Sequence, residues 1–221
     1  MLRDRRGTET GSPSLYSPNG SVATATQPQT RASNGLDQFF SSIRDQSNLS
    51  ILDFAGASQA NVSFITTLGH RIFSNDILHT LDEAFGGEGD FVANQADPRK
   101  ADYFLRESLD FSERSFDGAL VWDTLQFLAP PLLQEAVDRL FHVLRPQSAL
   151  LAFFHAEEKA STVPLYNYRI VESKTLSLTP RGQRKPAQYF NNRNLEKLFQ
   201  KFHSVKFFLT RDHLREVIVR R

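Results

Sequence analysis

The stretch Ile51-Leu52-Asp53-Phe54-Ala55-Gly56-Ala57-Ser58-Gln59-Ala60-Asn61 holds a strand-to-helix handover. A short apolar run ends in an acid, then turns through small residues into a helical pattern. Such a turn lets a ligand approach the backbone, and open α/β sheets bind their ligands at turns of this kind. Ser50 to Phe54 is the first predicted strand. The helix after it runs from about Gln59 to Leu68, with Val62, Ile65 and Leu68 inward and Gly69 as its stop. Before the strand, Leu36, Phe39, Phe40 and Ile43 have the spacing of a short amphipathic helix. After it, Arg71-Ile72-Phe73-Ser74 predicts a second strand, Ile77 to Phe85 a helix, and Tyr103-Phe104-Leu105 a short third strand. Gly118-Ala119-Leu120-Val121-Trp122 predicts a buried fourth strand, Pro130 to Leu144 a strong helix that opens on two prolines, and Ala149 to Phe154 a fifth strand.

This alternation argues for a parallel sheet covered on both faces. The end of the chain differs. Leu195, Leu198, Phe199 and Phe202 mark a helix that Asn192 or Asn194 caps. Val205-Lys206-Phe207-Phe208-Leu209 and Glu216-Val217-Ile218-Val219 are strands joined by the short polar turn Thr210 to His213, a connection that forces an antiparallel pair. Residues 1–33 are rich in Ser, Thr, Pro, Gly, Asn and Gln and carry too little apolar surface to offset their ordering entropy, so they are expected to be a disordered tail. The ordered domain is expected over residues 34–221, with 157–190 as an insert.

Composition narrows the function classes. The 221 residues are 40% hydrophobic and 23% charged, as in an ordinary globule with a sizeable core. A formal net charge of +1 gives no argument for nucleic acid or an anionic membrane. The chain has no cysteine, which excludes disulfides, thiolate metal sites and a cysteine nucleophile. Its six histidines lack metal-ligand spacing, so no metal site is expected. No P-loop and no Gly-x-Ser-x-Gly elbow is present. No run approaches the ~18 apolar residues of a membrane span, and no apolar stretch follows the basic start Met1-Leu2-Arg3-Asp4-Arg5-Arg6, so a cytoplasmic protein is expected.

The order of elements, five parallel strands and a closing antiparallel pair, resembles the class I S-adenosylmethionine-dependent methyltransferases over roughly residues 36–221. Three local matches carry the resemblance. Asp53 stands at the acid that opens the family's first loop, with Ala55, Ala57 and Gln59 at its three glycine places and Gly56 between. Asp76 stands at the acid that ends the family's second strand and holds the cofactor's ribose hydroxyls. Ser115 to Leu128 is similar to the family's fourth strand and the turn after it, and Val143-Leu144-Arg145-Pro146-Gln147-Ser148 to its later helix-to-strand turn.

The resemblance implies an α/β fold: a Rossmann-like seven-stranded, mostly parallel sheet with a terminal antiparallel strand pair and helices on both faces. It implies S-adenosyl-L-methionine as cofactor, a small-molecule acceptor, and cofactor contacts from Asp53, Ala55, Gly56, Ala57, Asp76, Ile77, Trp122 and Asp123. Leu105 falls where the family often has an adenine-pairing acid, which leaves backbone groups around Arg106 to read the ring. Several residues keep two readings. Asp76 holds the ribose hydroxyls or solvates a loop, Asp53 positions the cofactor or stabilises the turn, Trp122 walls the pocket or fills the core, and Asp123 faces the acceptor or caps a helix start. His155 is a candidate general base or a surface histidine. The 157–190 insert, with Tyr166, Tyr168, Arg169, Arg181, Arg184, Tyr189 and Phe190, caps an anionic or planar acceptor or forms a structural hairpin. Arg211, Arg215, Arg220 and Arg221 bind phosphate or protect the sheet end. Two rival functions stay open: a noncatalytic scaffold with this fold, and a nicotinamide-dependent oxidoreductase.

Overall fold

A computed structural model describes residues 27–157, 160–210 and 213–221. The tail reading therefore falls outside the described residues up to position 26, and Arg211 lies outside them too. In chain order the elements are β1 (Gln29–Ala32), α1 (Asn34–Ser41), β2 (Ser50–Asp53), α2 (Gln59–Thr67), β3 (Arg71–Ser74), α3 (Ile77–Phe85), α4 (Phe91–Asn94) and α5 (Pro98–Leu109). Then come β4 (Phe116–Trp122), a single 3-10 turn (Thr124–Phe127), α6 (Pro130–Val143), β5 (Leu144–His155), β6 (Val163–Glu172), β7 (Thr175–Arg184), α7 (Asn192–Leu198), β8 (Ser204–Leu209) and β9 (Leu214–Arg220).

Six strands form the main sheet in the order β3-β2-β4-β5-β9-β8. The first four are mutually parallel, and β9 runs antiparallel to both β5 and β8. Every residue of β2 is buried, as a central parallel strand with both faces covered requires. β1, β7 and β6 form a second, three-stranded antiparallel sheet.

The two sheets are tied at a charged corner. Glu216 of β9 is fully buried and accepts from the Gly35 amide at 2.6 Å and from Arg31 Nη2 at 2.5 Å. This fixes β1 and the start of α1, which Ser33 caps by accepting from the Leu36 amide. α1 lies close on the sheet because β4 carries Gly118 beneath it. A Cβ there would stand 2.7 Å from Phe39 Cζ and 3.2 Å from Ile51 Cδ1.

Five expectations change. The sheet has six strands, not seven, because Tyr103-Phe104-Leu105 lies inside α5. There Asp97 accepts from the Arg99 amide as N-cap, Pro98 opens the first turn, and Phe104, Leu105, Ser108 and Leu109 bury one helical stripe. The ordered chain extends before residue 34, since Gln29–Ala32 pairs with β7. The run Val171 to Leu178, whose alternation predicts one strand, is parts of two, broken between Glu172 and Thr175 by a tight turn. Asn191, not Asn192 or Asn194, caps α7 by accepting from the Asn194 amide. Finally, α2 buries Asn61 and Ile65, while Leu68 is 44% exposed.

Gly118→Ala is expected to lower stability by about 1–3 kcal/mol, the usual cost of overpacking a core. Urea unfolding checks this, and in a Phe39→Leu background the loss should shrink because the two sites share one contact.

Candidate active site at the carboxyl ends of the parallel strands

The strand order reverses between β3-β2 and β4-β5, so a crevice opens above the carboxyl ends of β2 and β4. The first loop and the end of β3 meet there. Ala55 and Asp76 form an isolated antiparallel bridge, and the Gly56 amide donates to the Asn75 carbonyl at 3.2 Å. Gly56 takes φ of +76°, and a Cβ on it would stand 3.2 Å from Asp76 Cβ and 3.3 Å from Asp76 Oδ2. The positive φ favours glycine here, and a Cβ would press the Asp76 side chain aside by a few tenths of an ångström. Asp76 Oδ1 accepts from the His79 amide as N-cap of α3, and Oδ2 lies 4.0 Å from Arg181 Nη1 of β7.

Asp53 is fully buried and accepts three bonds, from Trp122 Nε1 at 2.6 Å, Asn61 Nδ2 at 2.9 Å and the Ala55 amide at 3.0 Å. Burial raises its pKa above the ordinary 3.8, and the bonds from Asn61, Trp122 and Ala55 pull it back. Asn61 also reaches the second sheet: its Oδ1 accepts from the Ile170 amide at 2.8 Å and its Nδ2 donates to the Tyr168 carbonyl at 3.3 Å.

Tyr168 lies on Trp122 with ring centroids 5.0 Å apart and planes within 8°, and Phe153 completes an aromatic trio, 5.5 Å from Tyr168 and 5.7 Å from Trp122. Trp122 itself has φ of +56°, a strained value for a bulky residue. Beside the trio, burial lifts Asp123 to about 7, while Tyr168, its own backbone and the Arg181 and Arg184 cations hold the value down. Burial and the Asp123 charge together raise the Tyr168 hydroxyl well above 10. The Asp123 carboxylate and the Tyr168 hydroxyl are buried and interact with each other.

The sequence-predicted residues thus divide. Asp53, Ala55, Gly56, Asp76 and Trp122 are linked by direct contacts, and Asp123 follows Trp122 in the chain. Ala57 lines a cleft of about 360 Å³ with Ala55, Ser58, Gln59 and Ala60 on one side and Asn167, Tyr168 and Arg169 of β6 on the other. Ile77 is fully buried at the start of α3 and presents no surface to a ligand. Arg106 is on α5, its side chain exposed beside Glu107. His155 lines a separate cleft of about 200 Å³ with Thr30, Arg31, Tyr166, Leu178 and His213. Among the described residues, no cluster of His, Asp and Glu offers a metal site, and no helix is long and apolar enough to cross a membrane.

Two residues that organise the crevice were not singled out for it from the sequence. Asn61 carried a signal, a polar side chain one helical turn before Ile65 on the buried face of α2. Tyr168 carried none beyond being one aromatic among several in the insert.

No family model and no curated protein matches this chain. Among solved structures it is similar to the 1,6-didemethyltoxoflavin-N1-methyltransferase of Burkholderia thailandensis, solved with 1,6-didemethyltoxoflavin and S-adenosylhomocysteine, at 12% identity and a TM-score of 0.47 over 85% of this chain and 76% of that chain. It is similar to an S-adenosylmethionine-dependent methyltransferase of Methanosarcina mazei at 17% identity and a TM-score of 0.45, covering 80% of this chain and 94% of that one. A third such enzyme, from Aquifex aeolicus, is 9% identical with a TM-score of 0.42 over 83% of this chain and 88% of that chain. On its own sheet order and strand directions, the chain has the class I S-adenosylmethionine-dependent methyltransferase fold, without the outer third strand.

An S-adenosyl group fits this site in part. The small residues of the first loop, the cleft beside them and the Asp76 carboxylate suit its polar ends. The aromatic slot on Trp122 is filled by the Tyr168 ring.

Asp123 makes a test of the electrostatics. Its folded pKa of about 7 lies above the unfolded 3.8, so the folded state holds the proton more tightly and stability falls as pH rises between those values. Such a rise corresponds to on the order of 4 kcal/mol at its limit. Asp123→Asn is expected to flatten this slope between pH 4 and 7 and to be the more stable protein at pH 8, measured by urea unfolding at fixed ionic strength.

Proposed function

We propose that this chain binds S-adenosyl-L-methionine and transfers its methyl group to a small-molecule acceptor. The observation that carries the reading is the bridge between Ala55 and Asp76, which brings the first loop and the acid of the second parallel strand to one point at the topological switch. Asp76 would accept from the ribose hydroxyls, since one carboxylate serves two donors at once. The backbone of Ala55, Gly56 and Ala57 would lie along the methionine part, with Trp122 and Asp123 as the far wall.

The cofactor supplies a methyl group already activated on a sulfonium. This chain's part is then to align an acceptor and exclude water, positioning that contributes on the order of 7–11 kcal/mol in favourable cases. A general base is needed only for an acceptor that must lose a proton. His155 lines a different cleft from the first loop, with Glu157 and an Arg31 already paired with Glu216, so no general base is assigned.

S-Adenosylhomocysteine is expected to raise the melting temperature. At a ligand concentration about 100 times Kd the gain is about 2.7 kcal/mol, or roughly 5–10 °C for a chain of this size. Asp76→Asn should abolish most of it while keeping α3 capped, because Asn and Asp cap about equally well. No shift in the wild type at millimolar ligand would defeat the proposal.

One observation favours a noncatalytic scaffold instead: a protein side chain, Tyr168, stands in the crevice, beside a loop with alanine or glutamine at three glycine places. On that reading the wild type ignores the ligand, and the triple variant Ala55→Gly/Ala57→Gly/Gln59→Gly recovers binding in the same assay.

A further inference from the structure

We infer that Tyr168 is a built-in occupant of the ligand slot, and that a ligand carrying a planar base must displace it in order to bind. The inference rests on the adenosyl-binding reading above and adds a means of regulating that site.

Four features of the crevice point the same way. The Tyr168 ring lies nearly parallel to Trp122, the face-on geometry a flat heterocycle would adopt on that indole. The occupant's hydroxyl is buried against the Asp123 carboxylate, a polar pair that can bond a ligand's donors or acceptors once the ring moves away. Trp122 is held at φ of +56°, a backbone conformation that recurs where a site is pre-set for a ligand. Finally, the strand that carries the occupant is held by named contacts: Asn61 bonds the backbone on either side of Arg169, and Arg181 of β7 donates to Asn167 Oδ1 at 3.4 Å while facing Asp76 at 4.0 Å. The residues that hold Tyr168 in place are thus those that shape the first loop and the ribose-side acid. A ligand reaching Asp53 or Asp76 competes with these contacts.

The apparent affinity of such a site is its intrinsic affinity multiplied by the fraction of molecules whose slot is vacated. Removing the occupant therefore tightens binding, whereas removing a ring that merely stacks on bound ligand weakens it. The sign alone separates the two roles.

The test uses the full chain and S-adenosylhomocysteine, with Kd from equilibrium dialysis and the emission of Trp122, the sole tryptophan, as a second readout. Tyr168→Ala is expected to bind about tenfold more tightly than wild type, the scale of a lost aromatic pair and its latch. Wild-type Trp122 emission should change as ligand binds. Tyr168→Leu, which keeps apolar bulk in the slot, serves if the alanine variant does not fold, and it should shift Kd the same way. Equal or weaker binding by the folded variant, with wild-type binding intact, overturns the inference and leaves the methyltransferase reading standing. Wild-type binding that leaves Trp122 emission untouched does the same. A folded wild type and folded variant that both fail to bind at millimolar ligand overturn the adenosyl reading itself, and this inference with it.

Discussion

The buried carboxylate of Asp53 is the constraint from which the rest of the site follows. A carboxylate with no exposed surface must be met by donors or it neutralises. Its donors come from three parts of the chain: the first loop through Ala55, α2 through Asn61, and β4 through Trp122. Meeting it therefore fixes the turn after β2, the register of α2 over the sheet, and the direction of the indole at the end of β4. Asn61 passes the constraint on, because its remaining bonds are spent on β6. Asp53 thus joins Glu216 in tying the second sheet to the first. Bonds to a charged group are worth roughly 1.5–3 kcal/mol each, enough to hold Trp122 at a positive φ whose strain is on the order of 1–3 kcal/mol.

Much of the architecture was legible in the sequence because apolar period and end signals agreed. Arg71–Ser74 and Ile77–Phe85 have the same bounds in sequence and structure, and α6 starts at Pro130 where two prolines mark its first turn. The error at Tyr103-Phe104-Leu105 has a definite source. Three consecutive large side chains were read as a strand, although Asp97-Pro98 upstream is a helix start and Phe104, Leu105, Ser108 and Leu109 fall on one helical face. The antiparallel sheet was only half legible. A hairpin was one of two readings of 157–190, but the pairing of Gln29–Ala32 with β7 spans far too much sequence for any local pattern to signal it.

The site was legible residue by residue but not as a geometry. The two acids were visible as strand ends, and the structure places them either side of the same bend. What composition and spacing do not carry is which insert side chain reaches the crevice. Tyr168, Tyr166 and Tyr189 look alike in sequence, yet Tyr168 is buried on Trp122, Tyr166 lines the cleft that holds His155, and Tyr189 bonds the Ala160 carbonyl. Tyr166 and Tyr168 stand two residues apart on β6, so they share a face of the strand and are separated by position along it, while Tyr189 lies beyond the end of β7.

The missing third strand changes how Asp76 is held. In a wider sheet, β3 would have a neighbour on both edges. Here it is an edge of four residues, with Phe73 47% exposed, and short edge strands limit pairing with other chains. The support that a neighbouring strand would give comes instead from the end of α5, whose Glu107 and Ser108 carbonyls accept from Asn75 Nδ2 at 3.2 and 3.3 Å. Asn75 precedes Asp76, and its own carbonyl accepts from the Gly56 amide. A helix terminus, an asparagine and a glycine bend thus do the work of a strand: they set the carboxylate of Asp76 against the first loop. The replacement of strand by helix is consequently compatible with an intact acid position, and it removes the neighbouring strand end from which the family often presents its adenine-pairing acid. On the function proposed above, recognition of a base would fall to the indole of Trp122 once the Tyr168 ring is displaced from it.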